Sequence, residues 1–234
     1  VPPTPTPEAT STPGGVCPGE ETGSFMLGAE GPWTHRAGML ITNPGAEVLP
    51  AGYSVRVTLD TAALTAAGKL LADGNDLRVA WLDGTNYVQL DRVAETAFNS
   101  ASTEIWFRLQ APLAPGAVDS SYMLYYGNPS AGAPPADPAN VYWIWDGFEG
   151  PALNTSLWNI TGGSATFASG EVTIPLGANL LGRTTLNSVE MTARLRTGSN
   201  TRFAWWGLEL APPDGSDFVV FEKTSNNFYA WARA

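Results

Sequence analysis

Residues 53–60, Tyr-Ser-Val-Arg-Val-Thr-Leu-Asp, alternate apolar and polar side chains without a break. A period of two belongs to a strand with one buried and one wet face, whereas a helix would scatter the same residues around its surface. Leu77-Arg-Val-Ala-Trp81, Ile105-Trp-Phe-Arg-Leu109 and Val189-Glu-Met-Thr-Ala-Arg-Leu-Arg196 follow the same rule. Residues 122–126 form a continuous apolar and aromatic run, as expected of a central strand covered on both faces. Turn-forming clusters separate these segments: Asn43-Pro-Gly45, Asp73-Gly-Asn-Asp76, Asp83-Gly84 and Gly127-Asn-Pro129. One short helix is expected over 61–71, with Thr61 as its cap and Leu64 and Leu71 on one face. Many short strands with a single helix predict an all-β chain built of β-sandwiches, jelly-roll-like in character.

The segments fall into two groups. Residues 127–140, rich in Gly, Pro and Ala, separate two strand-bearing regions. The expected organisation is a Pro/Thr-rich stalk or assembly tail over 1–31, a β-sandwich over 32–132, a linker over 133–140 and a second sandwich over 141–234. In the second region strands are expected at 165–174, 189–195, 203–210 and 218–221. The N-terminal extension VPPTPTPEATSTPGG cannot bury enough apolar surface to fold by itself, and its Thr and Ser suit O-glycosylation.

Composition excludes several partners. The net charge is -10, and lysine occurs only at 69 and 223, so no basic stripe exists to neutralise phosphates and no nucleic acid is expected. No apolar run approaches the roughly 20 residues of a membrane helix, so no membrane insertion is expected. The chain opens on Val1 rather than Met, which suggests a processed or excised product from which any targeting segment has gone. The single cysteine, Cys17, allows no internal disulfide; it is either a spare thiol in a loop or a candidate for a disulfide to another chain or to a missing segment.

Two resemblances cover most of the chain beyond the stalk. Trp33-Thr-His-Arg36 with Ile41-Thr-Asn43, Asp76-Leu-Arg78 with Asp83-Gly84, Ile105-Trp-Phe-Arg108 and Tyr125-Tyr-Gly-Asn-Pro129 resemble, taken together, an uncharacterised bacterial domain of unknown function from large secreted and surface proteins. Residues 141–158, with Asp146-Gly-Phe-Glu-Gly150 and Leu153-Asn-Thr-Ser-Leu-Trp158, resemble the opening strand and first turn of a concanavalin-A-like lectin or glucanase domain. That resemblance implies a domain running past Ala234, so the second sandwich is expected to be incomplete.

Laminarinase-type hydrolases of the concanavalin-like fold carry Glu-x-Asp-x-x-Glu on one strand, which brings two carboxyls to the scissile bond. Glu190 is followed at that spacing by Thr192 and Leu195, Glu209 by Ala211 and Glu222 by Thr224, so none completes the triplet. Tryptophan offers a binding alternative. Trp143, Trp145, Trp158, Trp205, Trp206 and Trp231 crowd the second region, and the adjacent Trp205 and Trp206 alternate faces in a strand, so Trp205, Trp206 and Trp231 are candidates for a sugar platform. Large aromatics equally fill cores, which is the competing expectation. One His and one Cys exclude the usual zinc sets. Asp73, Asn75 and Asp76, or Asp214 and Asp217, offer oxygens to calcium, although Asp-Gly turns account for both stretches more simply. The concanavalin-like resemblance adds Glu149 as a candidate ligand for a structural calcium; no other cofactor is expected. His35 has no Ser or Cys partner pattern and is expected to pack beside Trp33.

The resulting expectation is an extracellular or cell-surface protein without catalytic residues that binds glycan. A structural subunit that polymerises with itself through its tail or strand edges is the alternative, and a fragment of a secreted glycoside hydrolase stands third.

Overall fold

The computed structural model describes residues 19–175 and 178–183, together with the backbone of strands at 8–9, 204–210, 217–223 and 228–233. The chain is all-β, with one short α-helix among the described residues, and divides into two compact units, Val1–Asp146 and Gly147–Ala234.

The first unit contains β1 (Glu8–Ala9), β2 (Glu21–Leu27), β3 (Glu30–Thr42), β4 (Ser54–Leu59), α1 (Thr61–Ala66), β5 (Leu77–Leu82), β6 (Tyr87–Leu90), β7 (Val93–Ala94), β8 (Thr103–Arg108) and β9 (Val118–Tyr126). They form a four-stranded sheet in the order β1-β4-β8-β7 and a five-stranded sheet in the order β2-β3-β9-β5-β6. All pairings are antiparallel except that β1 runs parallel to β4. The two sheets share one core. The four-stranded sheet contributes Val55, Val57, Ile105 and Phe107, and the five-stranded sheet contributes Met39, Ile41, Leu77, Val79, Tyr122, Leu124 and Tyr126. Each such side chain taken out of water contributes about 2 kcal/mol of burial free energy, which is what the period-two pattern encodes.

β9 is the centre of its sheet, as the apolar run over 122–126 in its second half predicts. Its second face, with Trp33, Ala80 and Leu27, buries Tyr125 in a smaller cluster. β2, which pairs with β3 at the edge of this sheet, lies within the stretch read as stalk. It is an exposed edge strand, so its sequence has no burial pattern to reveal it.

α1 is shorter than expected and is capped by Asp60, whose carboxylate accepts from the Ala63 N–H at 2.8 Å. Thr61 is buried, with its hydroxyl 2.6 Å from that of Thr103, so it serves the core and not the cap. The helix ends where Gly68 takes a left-handed φ of 70°, letting the Lys69 N–H reach back to the Leu64 carbonyl. That turn buries Leu70, in the place expected of Leu71.

Residues 133–146 pack onto the first unit. The Arg92 N–H bonds to the Pro135 carbonyl, the Asp137 N–H to Asp91, and the Ser54 hydroxyl to the Val141 carbonyl at 2.7 Å. Val141 is fully buried. A single 3₁₀ turn, Pro138–Asn140, leads into it, and no strand forms between 141 and 157, where the concanavalin-like resemblance places one.

The second unit contains β10 (Trp158–Thr161), β11 (Thr166–Ala168), β12 (Glu171–Thr173), β13 (Asn179–Gly182), β14 (Ala204–Leu210), β15 (Asp217–Lys223) and β16 (Phe228–Arg233). They form antiparallel sheets β10-β13, β11-β12 and β14-β15-β16. The single strand expected over 165–174 is a hairpin. Ser169 and Gly170 both have positive φ, 53° and 73°, the requirement of a two-residue type I′ turn. The strand expected at 189–195 lies outside the described residues.

Candidate functional site

Of the residues singled out from sequence, Cys17 and Asp214 lie outside the described residues. Trp205, Trp206, Trp231 and Asp217 are described in backbone only: Trp205 pairs with Glu222, Trp206 with Phe221, Trp231 with Val220 and Asp217 with Leu210. Glu149 is exposed, with a carboxylate oxygen over Gly170, 2.8 Å from where a Cβ would stand. Among the described residues no group of three or more His, Cys, Asp or Glu gathers that could hold a metal ion. The turn carboxylates are used locally. Asp73 accepts from the backbone and side-chain N–H groups of Asn75, and Asp76 from the Leu71 N–H at 2.8 Å.

The outward positions of β4 and β8 form an aromatic and cationic face. Arg56 stands opposite Trp106 and Ser54 opposite Arg108, with the Arg56 guanidinium 5.7 Å from the Trp106 ring centroid. Over this face the docked segment 133–146 lays Tyr142, whose ring lies 6.1 Å from Trp106 and stacks on Trp145 at 5.7 Å and 25°. The Tyr142 hydroxyl donates to Glu95. Burial and the Glu95 carboxylate together raise the pKa of Tyr142 far above its ordinary value, so it stays a donor. Trp143 and Trp145 keep 47% and 44% of their surface exposed, unusual for tryptophan, so an aromatic platform remains open to solvent. Arg108 donates to the carbonyls of Ala139 and Tyr142. Burial lowers its pKa, and no described carboxylate lies in ion-pair distance to offset that effect. Period-two geometry places Trp106 and Arg108 on one face, so this pair is readable in sequence. Tyr142 and Trp145 reach it only through the fold of 133–146.

A second polar cluster occupies one end of the five-stranded sheet. Lys69 donates to both oxygens of Glu20 at 2.8 Å, and Nε2 of His35 lies 3.8 Å from the same carboxylate. Burial acts to raise the Glu20 pKa, but hydrogen bonds from Lys69 and Tyr126 and the charges of Lys69 and His35 outweigh it, and the net shift is downward. His35 stacks on Tyr126 at 5.3 Å and 9°, not beside Trp33 as expected, because the register sets it directly across from Tyr126. The Thr34 hydroxyl donates to the Gly127 carbonyl and lies 2.8 Å from His35 Nδ1, so Nδ1–H is the donor to Thr34. Protons therefore run from His35 to Thr34 to the backbone, opposite to the direction that activates a nucleophile.

The segments carrying the first resemblance meet in this region. Arg36 and Arg78 flank Tyr125 on neighbouring strands, and His35 and Leu77 flank Tyr126. Arg78 is buried, 5.0 Å from the Trp33 ring, and donates to the carbonyls of Asn75 and Gly132 and to Glu30. Arg92 is buried with its fork on the carbonyls of Leu77 and Gly74. Burial, with the nearby charge of Arg78, lowers its pKa to about 10. Arg78 and Arg92 thereby tie loops to strands.

Comparison with curated proteins and with solved structures gives no match. Residues 73–161 match the model of a family described as a domain of unknown function (DUF2341), a stretch that includes Trp106, Arg108, Tyr142 and Trp145.

Proposed function

We propose that this chain is a non-catalytic, extracellular or cell-surface protein that binds glycan chains on the outer face of the four-stranded sheet. The observation carrying this reading is Trp145, half exposed and stacked on Tyr142, which is itself fixed by Trp106 and Glu95. A pyranose lays its apolar C–H face on such a ring, and a platform held rigid before binding loses little entropy when the sugar arrives. The resemblance of 141–158 to concanavalin-like lectins, although its opening strand does not form, favours the same ligand class, and the stalk-like N-terminal extension supports the location. Affinity electrophoresis of the full chain through gels containing neutral and acidic polysaccharides tests the reading. Retardation that Trp145→Ala abolishes supports it, and unretarded migration in every gel overturns it.

The reading of the chain as a subunit of an extracellular homopolymer has one observation of its own. The tail strand β1 pairs in parallel with the edge of β4, Glu8 opposite Arg56 and Ala9 opposite Val57. A strand added at a sheet edge can be supplied equally by a second copy. Light scattering of the chain with and without residues 1–18 tests this, and a monomeric mass for both removes it.

A further inference from the structure

We infer that the glycan bound on this face carries free amino groups, with one sugar ring on Trp145 and the ammonium of a neighbouring sugar residue held by Glu95. This rests on the glycan-binding reading and adds the chemical class to it. The two groups are linked through Tyr142. Its ring stacks 5.7 Å from that of Trp145, and its hydroxyl donates to Oε1 of Glu95. The carboxylate therefore stands one phenol away from the platform, within the span of two linked sugar residues. Glu95 is exposed, so a ligand reaches it from solvent. Among the described residues its Oε2 accepts no hydrogen bond, and no cation lies in ion-pair distance of it. Its one partner is neutral, since burial and Glu95 itself keep the proton on the Tyr142 hydroxyl.

An unpaired carboxylate near a half-exposed indole suits an ammonium: the negative face of the ring attracts a cation, and the carboxylate accepts its hydrogens. A neutral hydroxyl gains less from both. An acidic sugar is repelled by Glu95 and by the net charge of -10, which favours the approach of a polycation. The neighbouring arginines are turned to other partners. Arg56 pairs with Glu104 at 3.2 Å and stands in register with Glu8. Arg108 meets Tyr142 at its backbone carbonyl, the opposite end of the residue from the hydroxyl that Glu95 accepts.

Titration calorimetry of the full chain tests the inference, in mildly acidic buffer where a free amine carries its proton. The ligands are a glucosamine oligomer, its N-acetylated form, a cello-oligosaccharide of equal length and oligolysine. The glucosamine oligomer should bind at least about tenfold more tightly than the acetylated form, which stacks without a charge, and than oligolysine, which has charge without a ring. Added salt should shrink that preference, because the Glu95 contact is exposed, and this readout needs no variant. Glu95→Gln keeps an acceptor for the Tyr142 hydroxyl and removes the charge, so it should abolish most of the preference while its melting curve stays near that of the parent. Equal affinity for the free and acetylated oligomers overturns the amino-sugar assignment and leaves glycan binding standing. A preference unchanged in Glu95→Gln or indifferent to salt overturns the role of Glu95. Oligolysine bound as tightly as the glucosamine oligomer assigns the face to a basic peptide instead. No heat with any of the sugars overturns both readings.

Discussion

The hydroxyl of Thr34 donates to the carbonyl oxygen of Gly127 at 2.8 Å, and it occupies the space that a Cβ on Gly127 would take. The two residues are 93 positions apart. Their contact fixes the level at which β3 meets β9, and with it the stacking of His35 on Tyr126 and the place of Arg36 beside Tyr125.

Gly127→Ala should therefore be costly on two counts. The residue has φ of 79°, and the new methyl would overlap Thr34 and stand 2.8 Å from His35 Nδ1. Left-handed backbone costs about 1 kcal/mol for alanine, and overpacking adds about 2 kcal/mol. Gly116 has a comparable φ of 69° with nothing within 4 Å of its virtual Cβ, so Gly116→Ala should cost only about 1 kcal/mol. Urea midpoints of the two variants compare them directly, and equal losses would show that the Thr34 contact contributes nothing.

Arg92 bridges two carbonyls, Leu77 at 3.1 Å and Gly74 at 2.6 Å, with Phe98 over its guanidinium at 5.0 Å. Arg92→Met keeps much of the volume but removes two charge-assisted hydrogen bonds, leaving Leu77 O with Arg78 and Gly74 O with the Leu77 N–H, and should lower stability by about 2 kcal/mol. Arg92→Lys restores a charge without the fork and should recover less than half of that. A lysine variant as stable as the parent in denaturant titration would mean that the fork geometry is immaterial.

The strands with one face in the core, β4 and β8, were legible because each carries an alternating pattern that burial enforces. β2 was not, since an edge strand with Phe25 and Leu27 on an otherwise exposed ribbon has no such pattern. The hairpin of β11 and β12 was hidden in one apparent strand, because the turn lies in Ser169-Gly170 with few flanking signals. At the candidate site, Trp106 and Arg108 could be placed on a common face by counting residues. Tyr142 and Trp145 could not, because their position depends on how 133–146 returns to the sheet through Ser54, Asp91 and Arg108. Local periodicity says nothing about a contact made between a loop and a strand some 36 residues away, the separation of Trp106 from Tyr142 (142 − 106).

Acid should weaken the first unit partly through Glu20. Its folded pKa lies below the ordinary 4.5 because Lys69, Tyr126 and His35 favour the carboxylate more than burial disfavours it. The unfolded chain then binds more protons in that interval, so stability rises with pH through it. The contribution is complete above about pH 4.5 and is lost as pH falls through the depressed folded value. Glu20→Gln should flatten the stability profile between about pH 5 and 3, and Lys69→Met, which leaves burial to push the Glu20 pKa back up, should shrink the same decline. Melting temperatures across this range measure both, and a wild-type slope in Glu20→Gln would assign the acid sensitivity elsewhere.

The docking of 133–146 onto the first unit is anchored at Val141, whose side chain is fully buried and whose carbonyl accepts from Ser54 at 2.7 Å. Val141→Ala removes two methyl groups from a closed site and should cost about 2 kcal/mol. Ser54→Ala removes a donor and should cost about 1 kcal/mol. Both changes release the same segment, so once one has loosened it the other has less left to break. The double variant should lose less than the sum of the two, a positive coupling read from a double-mutant cycle in urea. The same variants should weaken whatever the aromatic face binds, since Tyr142 follows Val141 directly and carries Trp145 with it. Unchanged midpoints for both single variants would mean that 133–146 does not rest on the sheet in solution, and the platform built on it would fall with that result.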